Sequence, residues 1–454
     1  TYTVNGKPFT TKASHIFRAR PDGTGIEPVL TGGMDNPVSV AFSPEGERFL
    51  AGTFFEPQIP GHRDGIIHAI YGGVYGKPHP DVLAPFKRTG ELMPVMTHLG
   101  AAAPASIVSY RSKVLGDDFQ NNLFVANFNL HNVTRHILEP DGATFKTKDS
   151  VFLSCEGDPD FHPTHVLEDA DGSLLVIDTG GWYKLCCPTS QLYKPDVLGA
   201  IYRIKKVGAK KIEDSRGLKI DWAKAQPDEL TKYLDDERTY VIERAIHQLA
   251  KLKDASVPAL REILKTSASK DARRNAVWAL TRIDTQKARI AVCDVFPADA
   301  NVRINPKDSV ITAAFHSISL WRDVGAVWGD HPDRQNLWTV TALSTASGSK
   351  NLAMRRIVAE LWGRVGHMQN DFAVRNLMEM IDGGEDRVLE HSIIYALIEV
   401  NDPNTTAELM KNNPRDMAKR IALIALDQMD NGNLKPEQVA PFLLSTNAAL
   451  KEAA

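Results

Sequence analysis

The chain is poor in the features that most quickly betray a function. Of its 454 residues only four are cysteines: Cys155, Cys186, Cys187 and Cys293. That is too few for a disulfide scaffold, and their spacing is not that of zinc ligands. Long apolar runs are missing too. Stretches such as Ile421 to Leu426 fall far short of the roughly 20 residues that a membrane-spanning helix requires. Charge of one sign never accumulates: 53 Lys and Arg stand against 56 Asp and Glu, a formal net charge of −3. Attraction to nucleic acid or to an anionic bilayer is therefore not expected. The chain opens at Thr1 without a basic segment leading into an apolar one, so a signal peptide, if the protein has one, is expected to have been removed or to lie upstream.

What is present divides in two. A chain of this length calls for more than one core. Residues 14 to 205 read as short strands separated by Asp-Gly, Pro-Asp and Asn-Pro turns. The pattern repeats. FRARPDG from Phe17 to Gly23 is echoed by RHILEPDG from Arg135 to Gly142, and VSVAFSPEGERFLAGT after Asn36-Pro37 by THVLEDADGSLLVIDT after His162-Pro163. A looser copy runs from Pro104 through SIVSY to Asn121–Phe128. Repeats of four short strands predict β-propeller blades, with a β-sandwich as the alternative. The material suffices for about three blades and a leftover strand at Leu198 to Ile204, whereas closed propellers have about four to eight. The expected fold is thus a partial, open propeller over residues 1–206.

Residues 207–227 read as a linker, and from 228 to 454 a helical period takes over. Core triplets recur at Ala245/Leu249/Leu252, Ala276/Leu280/Ile283, Ala314/Ile318/Trp321, Ile357/Leu361/Val365, Ile393/Leu397/Val400 and Ala422/Leu426/Met429. Second helices fall between them, as at Val257 to Leu264 and Phe372 to Ile381. Such pairs bury their apolar stripes only by stacking, which predicts a HEAT-like α-solenoid offering a surface to a protein partner. His247, His316 and His391 on these helices read as packed or surface residues rather than ligands.

Several polar residues of the first part fall at strand ends: His62, Asp64, Asn129, His131, His162, His165 and Asp178. In a propeller they would line a funnel; otherwise the histidines merely bond blade turns. Asp64 with Tyr75 and backbone oxygens suits a calcium ion, or Asp64 is a turn residue. Cys186 and Cys187 could bridge to Cys155, pair with each other, or stay as thiols. The loop from Gly180 to Pro195, with Trp182, Tyr183 and Tyr193, offers aromatic faces to a sugar or caps the fold.

The stretch QIPGHRDGIIHAIYGGVYGKP, Gln58 to Pro78, resembles the soluble quinoprotein glucose and sorbosone dehydrogenases, six-bladed propellers that use pyrroloquinoline quinone and calcium. The resemblance implies backbone calcium ligands at Gln58, Ile59 and Pro60, with Asp64 and Tyr75 beside them. It implies cofactor contacts at Asn36, Gln58, Asn129 and His162. GGMDNPVSVAF, FNLHNVTRHILEPDGATFKTKDS and DTGGWYKLCCPTSQLYKPDVLGAIYRI are more similar still to the planctomycete and verrucomicrobial "membrane-bound dehydrogenase" proteins, in which such a propeller precedes HEAT repeats and often a c-type haem domain. No Cys-x-x-Cys-His haem motif occurs here. The family reads a quinone tricarboxylate with arginines and a lysine. This chain has Asp35 before Asn36-Pro37, Asn129 where the lysine is expected, and His162 and Thr164 where two arginines are expected. The expected function is a periplasmic or secreted sugar-dehydrogenase-like propeller that engages carbohydrate, with a HEAT array for partner docking. The competing reading is a non-enzymatic scaffold with a degenerate propeller.

Overall fold

Pro37, Pro104 and Pro163 each stand at or near the start of a strand, and at each the ladder to the following strand slips register. The cause is local: proline has no N–H for the ladder, so pairing begins properly only beyond it. The computed structural model describes residues 3–4, 7–8, 10–56, 59–84, 86–155, 157–184, 191–297, 304–329, 335–381, 384 and 386–454. It divides into two compact units, one of Thr1–Pro85, Leu92–Ile220 and Glu237–Val241, the other of Phe86–Glu91, Asp221–Asp236 and Ile242–Ala454.

The first unit is built from strands β1 (Ser14–Arg18), β2 (Glu27–Gly33), β3 (Asp35–Phe42), β4 (Arg48–Thr53), β5 (Asp64–His68), β6 (Val74–Gly76) and β7 (Thr97–Gly100). They are followed by β8 (Pro104–Ser109), β9 (Leu123–Asn127), β10 (Asn132–Asp141), β11 (Thr144–Ser154), β12 (Pro163–Glu168), β13 (Leu174–Asp178) and β14 (Ala200–Ile204). Sheets β3-β4-β5-β7 and β8-β9-β10-β11 have four strands, and β1-β2-β6 and β12-β13-β14 have three. Two short ribbons, Thr3–Val4 with Lys7–Pro8 and Trp182–Lys184 with Gln191–Tyr193, complete the described β-structure. Among the described residues, none of these sheets closes on itself.

The sheets pack in chain order. On β9, Leu123 and Val125 join Ala41, Phe49, Ala51, Ile66 and Ile107 in one core, while Phe124 and Ala126 face the other way, toward Val166, Leu174 and Val176. The period of two along a strand buried on both faces explains why Leu123–Ala126 reads as an unbroken apolar run. The two sequence repeats are out of phase with the sheets. The copy from Phe17 spans β1 and β2 of one sheet and then β3 and β4 of the next, and the copy from Arg135 likewise straddles β10-β11 and β12-β13. The strand at Leu198 to Ile204 is not left over: as β14 it pairs with β13.

β2 and β6 run parallel, Gly32 opposite Tyr75 and Gly33 opposite Gly76. A Cβ on Gly32 would come within 1.9 Å of the Tyr75 carbonyl oxygen. The Gly-Gly-x-Tyr-Gly motif thus serves a close backbone approach here.

The second unit contains α1 (Thr239–Lys251, whose first turn belongs to the first unit), α2 (Val257–Thr266), α3 (Lys270–Ile283), α4 (Gln286–Val292), α5 (Ser309–Trp321) and α6 (Gln335–Ser347). Beyond them lie α7 (Leu352–Val365), α8 (Asn370–Glu379), α9 (Arg387–Val400), α10 (Pro403–Asn412), α11 (Asp416–Gln428) and α12 (Ala448–Ala453). Helices α3, α5, α7, α9 and α11 pack each on the next, and α2, α4, α8 and α10 flank them. Side chains of Ser269, Thr285, Asp308, Asn351, Asp386 and Asp402 accept N–H groups in the first turns that they cap. The triplets form the core with two exceptions. Leu252 is 41% exposed because α1 ends one residue before it, and Trp321, only half-buried, lies against the Arg289 guanidinium. His316 and His391 are buried and His247 is exposed.

Phe86–Glu91 belongs to this helical unit although it arises early in the chain. Thr89 Oγ1 lies 2.7 Å from Nδ1 of His391 on α9 and accepts from Arg387 at 3.1 Å. The Arg88 N–H donates to Gln428 Oε1 at 2.8 Å, and Lys87 Nζ reaches the Gln428 carbonyl and the Asp430 carboxylate, both at 2.5 Å.

Candidate functional site

Asp64 opens β5 and is fully buried. Its Oδ1 accepts the Thr53 hydroxyl at 2.6 Å and its Oδ2 accepts the Ala103 N–H at 2.8 Å. Tyr75, also buried, donates its hydroxyl to the His68 carbonyl at 2.6 Å and accepts the Ile70 N–H at 3.1 Å. Ile59 and Pro60 sit on an exposed turn, and Gln58 lies outside the described residues. Calcium takes six to eight oxygens at about 2.3–2.6 Å. Asp64 is buried and bonded to Thr53 and Ala103, the Tyr75 phenol is turned to its own hairpin, and Ile59 and Pro60 lie on an exposed turn, so these residues are not gathered into such a set.

From Asp64 a row of strand-end residues continues across successive sheets. Ala103, held by Asp64, accepts the Phe128 N–H at 3.2 Å, and Asn129, exposed, donates its N–H to the Ala102 carbonyl at 3.0 Å. The Phe128 ring lies 4.8 Å from the His162 ring, and the His131 ring also lies 4.8 Å from His162. His131, at φ 51°, places Nδ1 2.8 Å from the Phe161 carbonyl. His162 Nδ1 lies 2.9 and 3.0 Å from the carbonyls of Asp160 and Gly180, so Nδ1 carries the proton. Asp178 Oδ1 accepts the N–H groups of His162 and Gly180, both at 2.8 Å.

The structure therefore gathers Asp64, Asn129, His131, His162 and Asp178 along one edge, most of them tied into the fold by their own hydrogen bonds. Asn36 is exposed at φ 49°, next to Asp35, whose carboxylate pairs with Lys77. His165 is exposed on β12. Trp182 lies in a described strand, but its side chain, with those of Tyr183 and Tyr193, lies outside the described residues, as do Cys186 and Cys187 entirely. Cys155 is an exposed free thiol with respect to the described residues.

A quinone tricarboxylate requires cationic partners that are available to it. At this edge Lys77 pairs with Asp35, and Arg63 Nε lies 3.7 Å from Asp64 Oδ1. Asp178 adds a further carboxylate beside His162. The residues at Asn36, Asn129 and His162 do not fit that cofactor.

His62 goes elsewhere. The hairpin beyond β4 and β5 closes through the Glu56 N–H on the His62 carbonyl at 2.8 Å, and His62 Nδ1 meets Glu56 Oε2 at 2.7 Å. The His62 ring stacks on that of His98, centroids 3.5 Å apart. Burial, and then the neighbouring His62, hold the His98 imidazolium below its ordinary range, with Glu56 opposing them. Neither Glu56 nor His98 stood out in the sequence. His98 meets the hairpin only because β7 pairs with β5, opposite Gly65.

Residues 227–305 match the family model for HEAT repeats, and residues 77–217 match a domain of unknown function (DUF7133). No curated protein matches the chain. Among solved structures, one from Thermus thermophilus, described as an oxidoreductase (glucose dehydrogenase), is 23% identical, with a TM-score of 0.25; the match covers 34% of this chain and 40% of that one.

Proposed function

We propose that the chain is a non-enzymatic binding scaffold: a degenerate, open propeller of the sugar-dehydrogenase type, followed by HEAT repeats that dock a protein partner. The full burial of Asp64, with its oxygens accepting from Thr53 and Ala103, is the observation that most favours this reading. The face-to-face packing of successive sheets supports the propeller part, and the helical layers with their HEAT match support the docking part. An exported location, periplasmic or secreted, goes with this reading.

The test is reconstitution with pyrroloquinoline quinone and calcium, followed by dye reduction across an aldose panel and a thermal-shift measurement. The scaffold reading expects no turnover and no cofactor-induced shift. Turnover of any aldose would overturn it in favour of a quinone-dependent sugar dehydrogenase. A second reading, carbohydrate binding without oxidation, draws on the exposed polar groups Asn36, Asn129 and His165 on the propeller part. A glycan array separates it from the first: retained sugar with no dye reduction would select it.

A further inference from the structure

Beyond that reading, we propose that Glu56, His62 and His98 form a binding site for a divalent first-row transition metal, with zinc as the reference ion. Each offers one ligand atom, and the three atoms lie within 4.8 Å of one another. Metal–nitrogen and metal–oxygen bonds of about 2.0–2.2 Å bring ligand atoms to about 3–3.5 Å apart. Glu56 Oε2 and His62 Nδ1 are already at 2.7 Å. The adjustment left is a pivot of the His98 ring out of its stack on His62, where an interplanar angle of 15° keeps the two in-plane lone pairs from converging on one ion; all three side chains are half-buried.

Among the described residues, backbone hydrogen bonds hold these side chains' positions. Glu56 and His62 face each other across a hairpin end whose backbone closes through Glu56 N–H to His62, His62 N–H to Ile59 and Ile59 N–H to Glu56, at 2.8, 3.1 and 3.1 Å. His98 is seated by the β5–β7 ladder. Two imidazoles and one carboxylate suit zinc, iron, cobalt or nickel rather than calcium or magnesium, which favour oxygen donors. Three protein ligands leave coordination positions for water or an exogenous donor. The site shares no ligand with the Asp64 row.

The experiment uses the full chain, freed of metal by chelator dialysis. Zinc is titrated calorimetrically, and cobalt is followed by its visible d–d absorption. The expected result is one tight site per chain, with His62→Gln, His98→Gln and Glu56→Gln each weakening zinc by about tenfold or more. His79→Gln and His247→Gln, exposed histidines elsewhere, should leave the affinity unchanged. Circular dichroism of the metal-free variants controls for folding, and Glu56→Gln, which keeps size and hydrogen-bonding capacity, reads the carboxylate alone. Unchanged zinc affinity in folded His62→Gln and His98→Gln, or absence of a cobalt spectrum in the wild type, would overturn the proposal.

Discussion

Thr53 and Asp64 face each other across the β4–β5 ladder, and the threonine hydroxyl donates to the aspartate at 2.6 Å with both residues out of solvent. The pair ties the end of that hairpin to the Ala102–Ala103 turn, because the other carboxylate oxygen holds the Ala103 N–H. Its role here is that of a staple.

Asp64→Ala should therefore destabilise the protein strongly and to the same extent with and without calcium. Each stranded donor costs roughly 1–3 kcal/mol, and two are stranded, at Thr53 and Ala103. Paired melting curves in calcium and in chelator check this. A loss confined to the calcium sample would restore Asp64 as a ligand, since a bound ion stabilises only the folded state.

Acid stability should depend on Asp149. Burial works against its ionisation, but His136 Nδ1 at 2.8 Å, with Thr147 and Thr97 beside it, overcomes that and lowers its pKa to about 2. A carboxylate held below its unfolded value of 3.8 adds stability above that pH and loses it as pH falls toward 2. Its side chain is 39% exposed, so solvent screening keeps the contribution modest. Asp149→Asn should flatten the decline of unfolding stability between these two pH values; an unchanged slope would contradict the assignment.

Cys293 should be the slowest described thiol to react. It is buried, and burial pushes its pKa up to about 12, whereas Cys155 is exposed. Reaction requires thiolate and access, so alkylation mapped by peptide mass should run at least about a hundredfold slower at Cys293 than at Cys155 in the native protein. The difference should vanish in denaturant. Comparable native rates would mean that the helical core opens locally around α4.

The helices were the most legible part, because a helix burying one stripe writes its period into consecutive residues. Leu252 broke the pattern because it lies just past the end of α1, where the helical period no longer dictates which side chain faces the core. The strands were legible as strands, but not in their grouping. Sequence similarity joins β1-β2 to β3-β4 through Met34, while hydrogen bonding assigns those pairs to different sheets. Asp64 was placed at a strand boundary and does open β5, whereas Tyr75, read as part of a turn, lies in the middle of β6; nothing local announced that the fold's own groups would bond both side chains. The Glu56–His62–His98 cluster was invisible for the opposite reason: its third member arrives on a strand whose pairing partner is fixed by the fold.

The assignment of Phe86–Glu91 to the helical unit bears on how that unit can be made. During synthesis this segment appears about 300 residues before His391, the partner of its Thr89. The unit is thus discontinuous along the chain, with the slow, long-loop closure that such contacts impose on folding. A fragment cut at the start of the helices would lose the hydrogen bonds that Arg387, His391 and Gln428 make to residues 86–91. A self-sufficient fragment would need residues 86–91 restored, either on a tether or as a circular permutant.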